Sequence, residues 1–368
     1  MKHHLQILII SPEPWNGHFV SKHHYALTLG SQGYGVYFLN PPDNTLKGIH
    51  IQKTEHLNVW EVSAPQVAKG LRFYPKFLRN FIERKWLEKI EAKIGESFTT
   101  VWLFENSRFY DMDFAGDRTK IYHQVDSNQN FHVKEASKSA DICFCTTDYI
   151  KNDLFEFTDN VHKVHHGVTL NSEAYKLTVK EEVYFSTDAV NVVYIGNMDI
   201  SFFDIELFYT LVCVSPDIIF HLIGNYTPEK PFFLRCKNLK NIRWWGRIDS
   251  FKIAYVLALS DVQLLIYKSD NIGNIKQLAS PHKMMEYFAS GKVIVSTYTD
   301  EYKDKRELLE MVDDSNAFVE KFSEVVNDLE YYNSNEKQQA RMEFAKKHSY
   351  TRQLRKISNY LEINGLKF

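Results

Sequence analysis

Short apolar runs alternate with helical patterns along this chain, and this alternation restricts the fold more than any other feature of the sequence. A helical pattern at 19–31 separates the first two runs. Strands that alternate with helices predict a parallel α/β sheet. The candidate strands of the first half are LQILII (5–10), VYFLN (36–40), VWLF (101–104), KIYHQV (120–125), ICFCT (142–146) and VHKVHH (161–166).

The pattern restarts after a polar, mixed segment at 170–189, which we interpret as a linker. Both halves begin with a buried strand that runs into a glycine-bearing loop. The chain has 368 residues, more than one core of roughly 250–300 residues accommodates. We therefore predict two doubly wound, Rossmann-like domains that face a cleft, with ligands at the carboxyl ends of the strands. The candidate strands of the second half are NVVYIG (191–196), IIFHLIG (218–224), VQLLIY (262–267) and KVIVST (292–297).

Composition excludes several classes of protein. Apolar residues make up 44% and charged residues 24%, as in ordinary globular proteins, and the net charge of −2 provides no basic field for nucleic acid. No stretch approaches the roughly 20 apolar residues of a membrane span. The opening MKHHLQILII meets Pro12 too early for a signal peptide, so we expect a cytoplasmic protein. Cys143 and Cys145, at alternate strand positions, are interpreted as buried free thiols.

The segment SPHKMMEYFASGKVIVST (280–297) combines a helical pattern with a polar face. With Ser280 as N-cap and Pro281 in the first turn, the free N–H groups of the helix start would attract an anion such as phosphate. Lys283 adds a cation there, and Glu286, three residues later on the same face, could accept hydrogen bonds from a ribose diol. The alternative is an ion pair on a solvated face. Gly291 predicts the helix end.

This segment resembles the C-terminal signature of GT-B glycosyltransferases, written roughly K-x-x-E-[YA]-x-A-x-G-x-P-V-V. In that family the lysine binds the donor pyrophosphate and the glutamate binds the donor ribose, which by position are Lys283 and Glu286. Ala289 and Gly291 also match, whereas the usual proline is Val293.

Other segments stand in the order of the same family, so the resemblance covers nearly the whole chain. It implies the GT-B fold, with an N-terminal acceptor-binding domain (1–170), a C-terminal donor-binding domain (171–349) and a final helix (350–368) that packs back on the first domain. The segments are WNGHFVSKHHYALTLGSQGYGVYFL (15–39), VHHGV (164–168), VVYIGNMD (192–199), FHLIG (220–224), NIRWWGRI (241–248) and the strand at 258–267.

Several further residues are predicted to bind the donor. Gly17 and Gly196, in the exit loops of the first strand of each half, would let the backbone approach phosphates, although either could be a simple turn. Arg247 could pair with base or phosphate, or cover Trp244 and Trp245. The complete set of donor-binding candidates is Lys283, Glu286, Ser280, His282, Gly196, Arg247, Tyr267 and Gly17.

One departure from the family concerns the donor sugar. Retaining members often carry a glutamate eight residues before the second one, where this chain has Leu278. The pattern is closer to glucuronosyltransferase-like enzymes of bacterial exopolysaccharide assembly. The resemblance implies transfer of a sugar from a nucleotide-diphosphate sugar to a glycan or lipid-linked glycan in cell-surface polysaccharide synthesis. The alternatives are a sugar-nucleotide epimerase of the same fold and a non-catalytic, membrane-associated partner of a polysaccharide assembly complex.

The acceptor must lose a proton, and in inverting enzymes a carboxylate or histidine usually takes it. Asp126 follows a predicted strand of the first half. It stands at the position where the glucuronosyltransferase-like enzymes that the chain resembles carry an aspartate proposed as the base. The alternative is an aspartate that caps the next helix. His123 and Glu105 are lesser candidates that structural roles would also explain.

Neither a metal nor a cofactor is expected. The pairs His3–His4 and His23–His24 match no H-E-x-x-H pattern, DMD (111–113) is a short acidic motif that occurs by chance, and GT-B enzymes generally need no bound metal. No dinucleotide fingerprint is present either.

The stretch KGLRFYPKFLRNFIERKWLEKIEAK (69–93) differs from its surroundings. Between residues 69 and 89 it carries seven cations and two acids, and phenylalanines recur every four residues at 73, 77 and 81. Basic amphipathic helices with aromatic residues lie on anionic bilayers, so a peripheral membrane contact is predicted. The alternative is an aromatic stripe that faces the core. The membrane-contact candidates are Arg72, Phe73, Lys76, Phe77 and Arg79.

Overall fold

The structure, a computed structural model, describes residues 5–17, 19–104, 108–126, 131–170, 185–268 and 281–368. The chain divides into two compact units. The first comprises Met1–His166 together with Tyr350–Phe368, and the second comprises Gly167–Ser349. Most of the segment interpreted as a linker, residues 171–184, lies outside the described residues.

The described part of the first unit contains an eight-stranded sheet, ordered β3-β4-β2-β1-β5-β6-β7-β8. Only β3 is antiparallel to its neighbour, β4. All six predicted strands are present, whereas β3 and β4 were not predicted because β3 is short, polar and largely exposed. The strands are β1 (Gln6–Ile10), β2 (Gly35–Leu39), β3 (His50–Lys53), β4 (Val59–Ser63), β5 (Thr100–Leu103), β6 (Thr119–Gln124), β7 (Ile142–Cys145) and β8 (Val161–Lys163).

Helices cover both faces of this sheet, as expected for parallel strands joined by crossovers. Buried residues on one face surround Trp86 and Leu87, and those on the other surround Tyr25 and Trp102. Cys143 and Cys145 of β7 are buried free thiols. The helices are α1 (Ser21–Ser31), α2 (Lys76–Ile94), α3 (Val133–Ser139) and α4 (Asp148–Phe155).

The described part of the second unit contains a six-stranded, wholly parallel sheet, ordered β11-β10-β9-β12-β13-β14. The strands are β9 (Asn191–Ile195), β10 (Ile219–Ile223), β11 (Ile242–Gly246), β12 (Val262–Leu265), β13 (Val293–Thr297) and β14 (Glu310–Val312). The helices are α5 (Ile205–Val214), α6 (Pro231–Cys236), α7 (Ser250–Leu259), α8 (Lys283–Ser290), α9 (Ser315–Asn327), α10 (Leu329–Tyr332) and α11 (Asn335–Lys347).

The last helix, α12 (Tyr350–Ile363), belongs to the first unit. Its apolar face joins the core that contains Tyr25, and the Tyr350 hydroxyl donates to Ser21 Oγ of α1 at 3.4 Å. The preceding helix, α11, ends at Lys347.

The start of α8 differs from the sequence prediction. The helix begins at Lys283 with His282 as N-cap, so Pro281 precedes the helix instead of occupying its first turn. The Met284 N–H nevertheless bonds the Pro281 carbonyl oxygen at 3.0 Å, which leaves Pro281 directly before the first turn. Gly291, with a φ of 77°, ends the helix as predicted. The predicted N-cap, Ser280, lies outside the described residues.

Strand order reverses at β9 in the second unit and at β1 in the first. Consecutive connections from such a strand leave toward opposite faces, which opens a crevice beyond its carboxyl end. The loops after β9 and β1 are therefore where each unit can bind a ligand.

Candidate active-site residues

The helix α8 is held rigidly on the sheet of the second unit. Met284, Met285 and Phe288 are buried against it. The Tyr287 hydroxyl accepts a hydrogen bond from the Ile195 N–H at 2.9 Å and donates one to the Leu264 carbonyl oxygen at 3.2 Å. These bonds connect α8 with both β9 and β12, so the first residues of α8 have a defined position beside the loop after β9.

Two glycines allow the loops beyond β9 and β10 to approach each other closely. Gly224 has a φ of +126°, and a Cβ there would lie 2.0 Å from the carbonyl oxygen of Gly196. Gly196 has a φ of +148°, and a Cβ there would lie 3.1 Å from Lys283 Nζ. Residues other than glycine rarely adopt such φ values. Glycine at both positions therefore brings bare backbone to the lysine ammonium.

Lys283 is a buried lysine of the second unit whose side chain is not paired with any described residue. It is only 8% exposed, and its Nζ has no hydrogen-bond acceptor among the described residues. The ammonium instead lies 3.8 Å from the ring centroid of Tyr194 and 5.1 Å from that of Tyr267. Burial lowers the pKa of Lys283 well below its usual range, and Glu286 opposes this shift. Lys283 is thus a buried amino group for which the described residues supply no acceptor.

Glu286 follows Lys283 by one helical turn and is half-buried. Burial raises its pKa to about 7, with Lys283 acting in the opposite direction. The carboxyl group can therefore change its charge near neutral pH. The alternative of an ion pair on a solvated face is therefore wrong, because Lys283 is buried and Glu286 is half-buried.

The other donor-binding candidates of the second unit have different surroundings. Tyr267 is buried beside Lys283, and its N–H donates to Thr297 Oγ1 at 2.9 Å. Arg247 is exposed, and its Nε donates to Asn225 Oδ1. His282 is half-buried at the start of α8.

Tyr194 was not identified from the sequence. It stands two residues before Gly196 within the apolar run of β9, where a tyrosine is normally a core residue. The sequence feature that could have indicated a functional role is a hydroxyl group near the end of a strand that leads into a glycine-containing loop. Its ring contact with Lys283 becomes apparent only in the folded chain.

In the first unit, Asp126 follows the end of β6 after one intervening residue, Val125, and is exposed. Surrounding protein atoms raise its pKa, and the charge of Lys22 opposes the shift. Lys22, in the first turn of α1, is itself buried and forms an ion pair with Glu13 from the loop after β1. Asp126 does not cap the next helix, because the N-cap of α3 is His132. Lys22 and Glu13 were not identified from the sequence.

His123, a lesser candidate of the first unit, does not present a reactive group to solvent. His123 is buried, with its ring centroid 4.9 Å from that of Phe104, and burial lowers its pKa to about 3. It is therefore a neutral side chain of the core. Gly17 lies in a turn in which its N–H bonds the Pro14 carbonyl oxygen at 3.0 Å. Glu105 lies outside the described residues.

The basic aromatic stretch is largely exposed. Phe73 and Phe77 are each 77% exposed and Phe81 is 56% exposed, so the alternative of a stripe that faces the core is wrong for these residues. Phe73 lies in a short turn at Leu71–Phe73 rather than on α2, so the predicted continuous helical stripe is also corrected. Leu78 and Tyr74 are exposed beside them.

Arg79 must be removed from the membrane-contact candidates. It is buried, and its guanidinium donates to Asp111 Oδ2 at 2.6 Å. Ion pairs also account for the acidic motif DMD (111–113). Asp111 pairs with Arg79, and Asp113 Oδ2 lies 2.7 Å from Lys76 Nζ. Arg72 and Lys76 remain exposed. Among the described residues, no group of three or more His, Cys, Asp or Glu side chains could hold a metal ion.

Known structures share this architecture. No protein-family model matches the sequence, and no curated protein is significantly similar to it. The sucrose-phosphate synthase of Thermosynechococcus elongatus matches with a TM-score of 0.66 and 14% identity over 98% of this chain and 100% of its own. The UDP-forming trehalose-phosphate synthase of Burkholderia xenovorans matches with a TM-score of 0.66 and 10% identity over 98% and 99%.

The HepE protein of Anabaena, solved in complex with UDP and glucose, matches with a TM-score of 0.71 and 11% identity over 98% of this chain and 100% of its own. At such low identity the likeness concerns the fold, which is the GT-B fold of glycosyltransferases. The predicted fold class is thus confirmed. Within the described residues, no helix has both the length and the apolar character needed to cross a bilayer.

Proposed function

We propose that this chain is a glycosyltransferase that moves a sugar from a nucleotide-diphosphate sugar to a glycan or lipid-linked glycan in cell-surface polysaccharide synthesis. The observation that carries the proposal is the buried Lys283 ammonium, which has no acceptor among the described residues and borders Gly196. A buried charge without a partner is costly, and such groups cluster at functional sites. A diphosphate would supply the missing negative charge.

The donor is proposed to bind at the start of α8. The diphosphate would meet Lys283 and the bare backbone at Gly196, and the ribose hydroxyls would donate to Glu286 in its ionised form. His282, at the N-cap of α8, would lie near the phosphates, and Ser280, the remaining candidate of this segment, is outside the described residues. Arg247 directly follows β11 and donates to Asn225 in the loop after β10, and it is proposed to contact the base or a phosphate.

Transfer requires stabilisation of the leaving group and removal of a proton. As the bond between the anomeric carbon and the diphosphate oxygen breaks, negative charge grows on the diphosphate, where Lys283 stabilises it. The acceptor hydroxyl forms the new bond to the anomeric carbon and gives its proton to Asp126, the proposed base. Asp126 is an exposed residue, and its carboxyl pKa is raised, which is the direction that suits a proton acceptor. Neither a metal ion nor a cofactor takes part in this scheme.

The proposal is tested with a thermal-shift and calorimetry panel of UDP, GDP and ADP and of their sugars, repeated on Lys283→Ala and Glu286→Ala. We expect one nucleotide family to bind the wild-type protein and both variants to bind it at least tenfold more weakly. If no nucleotide diphosphate binds, or if the Lys283 variant binds as well as the wild type, the proposal is wrong.

Turnover separates the remaining functions. Release of nucleoside diphosphate that depends on an added glycan or lipid extract would establish transfer, whereas conversion of the donor without acceptor would indicate an epimerase. Binding without turnover against every extract would indicate a non-catalytic partner of an assembly complex. Asp126→Asn should abolish acceptor-dependent release and leave donor binding intact.

We further propose that the exposed surface around Leu71–Phe77 and Phe81, called here the aromatic patch, contacts an anionic bilayer at the cytoplasmic face of the cell membrane. Three exposed phenylalanines supply apolar area for the interface. Lys69, Arg72 and Lys89 are exposed cations without an ion pair to any described residue. Charge and apolar surface together favour anionic lipid over an uncharged partner.

Vesicle sedimentation tests the membrane contact. Wild-type protein should bind vesicles that contain phosphatidylglycerol, and it should be released by salt or by replacement with phosphatidylcholine. The triple variant Phe73→Ser, Phe77→Ser, Phe81→Ser should bind at least about tenfold more weakly. The control Phe155→Ser, Ile363→Ser removes exposed apolar side chains elsewhere in the same unit and should bind normally. Equal binding by the triple variant would favour a protein partner or no partner for this surface.

A further inference from the structure

Tyr194 carries a second buried polar group without a partner. The residue is only 1% exposed, and its hydroxyl forms no hydrogen bond with any described residue. Burial raises its pKa well above the usual value, so the hydroxyl keeps its proton at neutral pH. A buried hydroxyl without a hydrogen bond lowers stability, because nothing replaces the hydrogen bonds that it made with water. A phenylalanine would fill the same space without this cost.

The two groups without partners converge on one point. A Cβ placed on Gly196 would lie 3.1 Å from Lys283 Nζ and 3.2 Å from Tyr194 Oη. The ammonium also lies 3.8 Å from the Tyr194 ring centroid. A cation and a neutral hydrogen-bond donor therefore border the same bare glycine, and neither has an acceptor among the residues that the structure describes.

Tyr287 provides an internal comparison. It is equally buried, but its hydroxyl has both an N–H donor and a carbonyl acceptor in the sheet. One tyrosine hydroxyl of this site thus has a structural role, whereas the other has none that the described residues reveal. Buried polar groups without partners are rare in folded proteins, and each requires an explanation.

We propose that Tyr194 Oη and Lys283 Nζ together bind one oxyanion of the donor diphosphate, which makes Tyr194 a donor-binding residue. This inference rests on the proposed function and adds a second phosphate contact to it. The ring of Tyr194 holds the lysine in place before the donor binds, through a cation–π contact. Its hydroxyl then donates to the bound phosphate, and the anion satisfies both groups at once.

The test compares Tyr194→Phe with the matched control Tyr287→Phe. Tyr194→Phe removes only a hydroxyl without a partner, so the melting temperature of the free protein should stay the same or rise. Tyr287→Phe removes two hydrogen bonds and should lower it. Calorimetry is done with UDP, GDP and ADP and with the three corresponding nucleosides. We expect Tyr194→Phe to weaken the best diphosphate about 5–20-fold and to leave its nucleoside unchanged.

Three results separate this inference from the proposed function. If Lys283→Met weakens diphosphate binding and Tyr194→Phe does not, the inference is wrong and the proposed function stands. If neither variant changes binding, or no diphosphate binds the wild type, both fail. A crystal structure with bound diphosphate should place Tyr194 Oη about 2.5–3.0 Å from a phosphate oxygen. If Tyr194 Oη lies more than about 4 Å from every phosphate oxygen, the inference is wrong, even if Tyr194→Phe cannot be produced in folded form.

Discussion

Helices α2 and α8 contain similar residues and use them in opposite ways. Each has a lysine in its first turn, a phenylalanine, and a glutamate with a raised pKa. In α2, Lys76 is 60% exposed and pairs with Asp113 at 2.7 Å. In α8, Lys283 is 8% exposed and finds no acceptor among the described residues.

This contrast shows which charges of a protein deserve a functional explanation. An exposed ion pair such as Lys76–Asp113 contributes little to stability and needs no further cause. A buried amino group without a partner lowers stability, so Lys283 needs an explanation that the Lys76–Asp113 pair does not. For phenylalanine the expectation is the opposite. A buried phenylalanine is ordinary, whereas a cluster of exposed phenylalanines requires an explanation.

The largest expected difference between the two helices concerns phenylalanine. Phe288→Ala empties a fully buried position and should lower the free energy of unfolding by about 3–5 kcal/mol. Phe77→Ala, at a position that is 77% exposed, should change it by less than about 0.5 kcal/mol. Denaturant unfolding measures both. A large loss for Phe77→Ala would mean that α2 packs against something that covers it in solution.

The lysines should differ next most strongly, in ligand binding. Lys283→Met should weaken the best nucleoside diphosphate about 100-fold, or about 2.8 kcal/mol, because it removes the cation at Gly196. The free protein should be as stable as the wild type or more so, since a buried ammonium is removed. Lys76→Met serves as the matched control, and its affinity for the nucleotide should be unchanged. Calorimetry measures the affinities and thermal melts measure the stabilities. Equal affinities of the two variants for the nucleotide would mean that Lys283 and Lys76 do not differ in ligand binding.

The glutamates should produce the smallest effect, seen as a dependence of stability on pH. Burial raises the pKa of Glu83 to about 8 and that of Glu286 to about 7, from 4.5 in each case. Above pH 4.5 the unfolded chain loses these protons while the folded chain keeps them, so stability falls as pH rises toward 7 or 8. Glu83→Gln and Glu286→Gln should each gain about 1–3 kcal/mol relative to wild type between pH 4.5 and 8.

Nucleotide binding then distinguishes the two glutamates. Affinity should rise with pH near 7 in the wild type as Glu286 ionises and can accept both ribose hydroxyls. The rise should be smaller in Glu286→Gln and unchanged in Glu83→Gln, which retains Glu286. Calorimetry at pH 6 and pH 8 measures this. If the pH dependence of affinity is the same in all three proteins, Glu286 does not bind the ribose.

Strands and helix ends were predictable because their signals are local. The apolar runs that became β1, β9 and β12 are recognisable within a few residues, and Gly291 marks the end of α8 without reference to the rest of the chain. The short polar strand β3 was missed, because it is an edge strand whose pairing with β4 no local pattern encodes. The segment 280–297 was recognisable as a donor-binding candidate because its residues are neighbours in sequence.

Burial and partners depended on the folded chain. Arg79 and Arg72 look alike in the sequence, yet one pairs with Asp111 inside the first unit and the other is exposed. Tyr194 and Lys283 are far apart along the chain and meet only because α8 packs beside β9. Sequence alone was therefore sufficient for the α/β alternation and for the choice of Lys283 and Glu286 as candidates. Folding decided which charges lack a partner, because the partners come from distant segments.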